Sequence, residues 1–132
     1  MSKTDFSRLG LLFSVFFMPT ECFAQSPNDS EDSRRRGALN LFIDCRSCDM
    51  NYTRQEIPYV NYVRDTREAE VYLLVTNQSA GSGGQQFTLT YEGLGKFTGM
   101  NDTLIYTSNP DESDTEIREN KTNLMKMGLM RF

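Results

Sequence analysis

The chain has no histidine, and of its 132 residues only three are cysteines. Without histidine, neither a Ser-His nor a Cys-His nucleophilic pair can be assembled within the chain. A structural zinc site wants four ligands, commonly cysteine or histidine, and this chain supplies half at most. No metal site, no cofactor and no catalytic residue is therefore expected. Basic residues are also in deficit: 14 Lys and Arg against 18 Asp and Glu leave a net charge of −4. That balance argues against nucleic acid or an anionic membrane surface as a partner. Long apolar runs are missing too. The longest, Leu9 to Met18, falls well short of the roughly twenty residues of a spanning helix.

What that short run does resemble is a secretory leader. Lys3 and Arg8 precede it, Pro19 breaks it, and Ala24 stands before Gln25, which is the charged, hydrophobic and cleavage-site order of a signal peptide. A signal peptide is expected over residues 1–24. Cys22 could otherwise be a lipoprotein acylation site, but Glu21 stands where a small residue belongs. Cleavage after Ala24 removes Cys22 and leaves Cys45 and Cys48 in an oxidising compartment, where a disulfide can persist. Residues 25–37 lack apolar periodicity; with SPNDSEDS beside Arg34-Arg35-Arg36 they read as a disordered linker of mixed charge. The remainder, 38–132, fits one domain.

ALNLFIDC, residues 38–45, has the length and composition of a strand buried on both faces or nearly so. Thr53 with Glu56 matches a capping box, and Asp49 and Asn51 are competing caps. Because Pro58 is poorly tolerated beyond a first turn, we read a turn or short 3₁₀ piece over 49–56. A helix over about 57–66 follows, with Ile57, Val60 and Val63 turned to the sheet. AEVYLLVTNQ, residues 69–78, is a strand. QQFTLTYE, residues 85–92, alternates with Phe87, Leu89 and Tyr91 on one face. Gly93 and Gly95 predict a bulge or bend before the strand resumes at Lys96-Phe97-Thr98. TLIYTS, residues 103–108, is the last strand. Ser113 and Glu116 form a second capping box, opening a helix with Ile117, Leu124 and Met127 near one face. The order is β-α-β-β-β-α. It predicts an α+β two-layer sandwich, a mostly antiparallel sheet with two helices on one face; whether the first two strands run parallel is left open.

The Cys45-x-x-Cys48 pair follows a strand and precedes helical sequence, as a redox centre would. The intervening Arg46 and Ser47 are not distinctive. Half a zinc site and free thiols are further alternatives; the reading adopted is a small structural disulfide, whose short loop contributes about 2 kcal/mol or less. Gly81-Ser82-Gly83-Gly84 is followed by a strand rather than by the helix a phosphate cradle needs. It is read as a hairpin connection and carried as a candidate partner-contact loop.

The run NLFIDC…EIPYVNYVRD…AEVYLLVT…GSGG…FTLTYEGLG…NDTL resembles a group of uncharacterised bacterial exported proteins. In that group an extracytoplasmic domain precedes a predicted outer-membrane β-barrel. The resemblance spans residues 39–132. More loosely, the element order is similar to small periplasmic domains of the Tol-system propeller protein and the curli secretion pore, an analogy of fold alone. The resemblance implies a periplasmic or outer-membrane-associated domain, the N-terminal part of a longer protein, with a protein partner or outer-membrane component. The expectation is an exported binding or assembly module without catalysis; the alternative is a thiol-disulfide oxidoreductase using Cys45 and Cys48.

Overall fold

A computed structural model describes residues 36–132. The expected signal peptide, with Cys22, and the linker up to Arg35 lie outside the described residues. Five strands and two helices follow in the order β1 (Asn40–Cys45), α1 (Met50–Glu56), β2 (Asn61–Tyr62), β3 (Val71–Ser79), β4 (Gln85–Gly93), β5 (Asn101–Thr107) and α2 (Asp114–Leu129). They form an α+β fold around one sheet of order β2-β1-β3-β4-β5. β1 pairs parallel with both β2 and β3, while the longer β3–β4 and β4–β5 ladders are antiparallel.

The segment 49–66 departs from the expected turn-then-helix. Here the helix comes first. The Asp49 carboxylate accepts hydrogen bonds from the Asn51 and Tyr52 N–H groups at 3.1 and 3.0 Å, which satisfies the opening turn of α1. The helix stops at Glu56 because Ile57 precedes Pro58, and a residue before proline is pushed out of the helical region; Ile57 sits at φ −122°. The predicted helix over 57–66 is instead an extended piece, closed by a 3₁₀ turn at Thr66–Glu68. Asn61 N–H donates to Leu39 O at 2.8 Å and Val63 N–H to Leu41 O at 3.0 Å, so this stretch supplies a fifth, two-residue strand. Ile57 and Val60 are buried as expected, but by a loop and not by a helix face. Past β4, the predicted continuation at Lys96-Phe97-Thr98 is a 3₁₀ turn over Gly95–Phe97.

The pleat puts one side chain set on each face of a sheet. Leu41, Val71, Leu73, Val75, Phe87, Leu89 and Tyr91 all point to the buried side. α2 lies on that side. Its capping box is formed as expected, with Ser113 and Glu116 hydrogen-bonding reciprocally. Met125 and Leu129 enter the core, and Gly128 rests against the Tyr91 ring. Tyr91 Oη donates to Leu124 O at 3.0 Å, so a phenol buried in the core keeps a partner. Phe132 caps the arrangement against Tyr91 and Phe97. Met127, grouped by the sequence with Ile117 and Leu124 near one face, is 61% exposed and Met130 is 84% exposed; the inward stripe is Lys121, Thr122, Met125, Gly128 and Leu129. α1 lies beside α2, joined by Lys126 to Glu56 at 2.7 Å and by Arg118 over the Tyr52 ring. At the opposite end, Glu70 accepts from Asn40 N–H at 3.0 Å and pairs with Lys96 at 2.8 Å. Lys96 first, then the Asn40 N–H, holds the Glu70 carboxyl below its usual range.

The other face of the sheet carries Phe42, Tyr72, Leu74, Thr88, Thr90 and Ile105, none of them buried. Phe42 stacks on Tyr72 across the β1–β3 pair, with centroids 5.6 Å apart.

Candidate functional site

Cys45 is the last residue of β1, and Cys48 stands just before the Asp49 cap of α1. The strand ends, the chain turns, and the helix starts five residues on, at Met50; the turn brings the two Cα atoms to 5.6 Å, and the sulfurs are bonded. The small loop is tied to distant structure. Lys121 of α2 donates from Nζ to the Ser47 carbonyl at 2.8 Å and lies over the Phe87 ring at 4.8 Å. Arg118, one turn earlier, reaches Asp49 at 3.4 Å. Asp49 is held below the ordinary carboxyl range, first by the Tyr52 N–H and then by Arg118 and the Asn51 N–H, against an opposing desolvation. Its carboxylate therefore already occupies the N–H groups of the α1 start. A Cys48 thiolate would compete with that charge for the same donors, so the start of α1 is withheld as a means of activating the thiol.

The Gly81-Ser82-Gly83-Gly84 loop closes the β3–β4 hairpin. Ala80 N–H donates to Gly84 O at 2.9 Å, and Gly83 N–H to Ala80 O at 3.1 Å. Gly83 adopts φ +93° and lies against the Pro110 ring; at Gly84 a Cβ would overlap the Ser108 carbonyl. The close approach has a use. Ser108 N–H donates to Gln85 O at 2.8 Å, and its hydroxyl accepts from Gln85 N–H at 2.9 Å, which locks the end of β5 to the start of β4. Of the four candidate residues only Gly84 is buried; Gly83 is exposed but lies against Pro110, and Gly81 and Ser82 are exposed with open space at Gly81. The hairpin and the disulfide loop lie toward the same end of the sheet, but β3 continues four residues past Val75, the partner of Cys45, before the hairpin begins.

The third feature is the outer edge of β5, seven residues long. The hydrogen bonds Ser108 N–H to Gln85 O and Gly93 N–H to Met100 O bracket the ladder. Bonded and non-bonded pairs alternate in an antiparallel ladder, so even-numbered residues of β5 turn their backbone groups toward β4. Asn101, Thr103, Ile105 and Thr107 turn theirs outward. Among the described residues no strand lies beyond β5. The strand contains neither proline nor lysine, the residues that commonly blunt an edge. One outward donor, Thr103 N–H, is taken by the Asp102 carboxylate at 2.9 Å, and Asp102 is itself held by Arg131 at 2.7 Å. Ile105 is 60% exposed beside this edge.

None of Lys121, Arg118, Ser108 and Ile105 falls in a sequence motif. For Lys121 a signal was present: Ile117, Lys121 and Met125 recur every fourth residue, so a lysine stands in the apolar stripe of the helix. Ser108 and Ile105 carry no such mark, because their roles depend on register.

No family model, curated protein or solved structure matches this chain.

Proposed function

We propose that the chain is an exported, periplasmic binding or assembly module without catalysis, which takes an extended segment of a protein partner onto the edge of β5. The observation that carries this reading is the run of outward-facing backbone groups on Asn101, Ile105 and Thr107 beside exposed Ile105. Strand addition draws affinity from such main-chain groups and specificity from alternate side chains. The leader-like order of Lys3, Arg8, Leu9–Met18 and Ala24 and the bonded Cys45–Cys48 pair support an exported location. An outer-membrane component is the partner class the family resemblance suggests.

The edge is tested without disturbing the fold by Ile105→Pro. The donor this change removes points away from β4, and proline is tolerated in that setting at an edge. A photo-crosslinking residue at Thr107 in intact cells should trap a protein partner through an extended peptide, and Ile105→Pro should abolish the adduct while leaving the circular dichroism spectrum unchanged. Adducts that persist undiminished in the proline variant would remove β5 as the contact.

Placement of the cysteines between strand and helix favours one second reading, a thiol-disulfide oxidoreductase. The reduction potential of the pair separates the two. A value below about −300 mV fits an inert structural bridge, whereas one near −200 mV is that of an exchanging catalyst. The competing charge of Asp49 leads us to expect the lower value.

A further inference from the structure

Beside the disulfide loop, and apart from the β5 edge, a cavity of about 340 Å³ opens between α2 and the start of β4. That is within the size range of small-molecule sites. One stripe of α2 lines it: Asp114, Ile117, Arg118 and Lys121 are spaced i, i+3, i+4 and i+7, one face of a helix. Opposite stand Ser47, Gln85 and Phe87.

Its charges are incompletely matched. Lys121 is only 7% exposed, and a buried charge is ordinarily paired. An ammonium has three donors; one goes to Ser47 O and another direction is taken by the Phe87 ring. Among the described residues no carboxylate pairs with it. Burial pulls the ammonium's pKa below the ordinary lysine value, as expected for a cation that lacks a counter-charge. Arg118 is likewise unfinished. Its Nε is buried without a hydrogen-bond partner, its guanidinium lies over the Tyr52 ring, and its contact to Asp49 Oδ2, the oxygen that the α1 N–H groups leave free, is long at 3.4 Å. The Lys121 cation thus adjoins an apolar wall, the Phe87 ring, with Ile117 also lining the cavity. Asp49 and Asp114 also line the cavity, which disfavours a ligand with more than one negative charge.

We propose that this cavity binds a small monocarboxylate with an apolar body. The carboxylate sits on the Lys121 ammonium, steadied by the Arg118 guanidinium, and the hydrocarbon lies on Phe87 and Ile117. Charge-assisted hydrogen bonds from lysine and arginine are the strong ones, and here they replace no existing ion pair of Lys121.

The test uses the full chain with its disulfide intact, titrated with sodium butyrate, sodium acetate and inorganic phosphate and followed by ¹H–¹⁵N NMR. Butyrate should give saturable shifts at Ser47, Gln85, Ile117 and Lys121. Acetate should bind roughly tenfold more weakly, because it lacks two methylenes, and phosphate should not saturate. On the unmutated protein, saturating butyrate should raise the Lys121 pKa read from its ¹³Cε shift, which a purely structural lysine would not show. Lys121→Met keeps the stem on Phe87, and it should remove butyrate saturation; if this variant does not fold, Arg118→Gln should weaken butyrate and acetate by a similar factor. The proposal is overturned by any of three results: no saturation with either carboxylate, phosphate binding tighter than butyrate, or a folded Lys121→Met that binds butyrate like the parent.

Discussion

Gly128→Ala is expected to lower the stability of the domain by about 3 kcal/mol, the upper part of the range for overpacked cores. In a domain of this size that corresponds to a fall in Tm on the order of 15 °C. A Cβ at this position would overlap Cζ, Cε2 and Oη of Tyr91. The ring cannot step aside. Tyr91 is fully buried, its hydroxyl is bonded to Leu124 O at 3.0 Å, and Phe132 stacks against it. α2 would have to lift from β4, loosening Met125 and Leu129 with it. The explanation is checked by a double-mutant cycle with Tyr91→Leu, followed by urea or thermal unfolding. Tyr91→Leu alone should cost a few kcal/mol, since it empties an aromatic site. Adding Gly128→Ala to it should cost far less than adding the same change to the parent, a coupling of at least about 1 kcal/mol. Strict additivity would mean that the ring is not what the methyl meets.

Gly84→Ala should be nearly as damaging, about 3 kcal/mol, and Gly81→Ala, three residues away in the same glycine-rich loop, should change stability by no more than about 0.5 kcal/mol. At Gly84 the obstacle is the Ser108 backbone carbonyl, with the Ser108 hydroxyl behind it. Backbone in a ladder cannot yield without breaking the two Ser108–Gln85 hydrogen bonds. At Gly81 nothing lies within reach. Midpoints of urea unfolding for the two variants, measured with unchanged slopes, decide the matter. Equal midpoints would show that the β4–β5 junction opens readily and that the glycines are there for the loop alone. The expected asymmetry divides the Gly-Ser-Gly-Gly run: Gly84 serves the β4–β5 junction, and Gly81 stays in open space.

Four of the five strands of this domain, all but β2, were legible because each carries its own evidence. In QQFTLTYE the period of two names the buried face outright, and Phe87, Leu89 and Tyr91 are where it places them. The Ser113–Glu116 box likewise needs no tertiary context, and it is formed. The segment 49–66 was misread because two local rules conflict there. Ile57, Val60 and Val63 have helical spacing, yet Pro58 can stand either in the first turn of a following helix or just past the end of a preceding one. The proline prevailed, and the open edge of β1 offered the displaced segment a strand to pair with, which no local pattern announces. Met127 failed for a related reason. The inner face of α2 is set by the Gly128 contact with Tyr91, and hydropathy alone would not select a glycine and a lysine as inward residues.

Of the candidate site, the cysteine pair and the hairpin were visible as motifs. Their surroundings were not. The Ser47 carbonyl becomes an acceptor for Lys121 only when residues 74 positions apart in the chain meet. The spare groups of β5 exist only once β4 fixes the register.

The two borders of the sheet are unequal. β2 contributes just two residues, too brief a rail to seat a newcomer, whereas β5 offers seven. A sheet extendable at both borders can add copies without limit; one with a single usable border stops after one addition. Two copies meeting edge to edge along β5 would use up that border in both, and only the β2 side would remain for further growth.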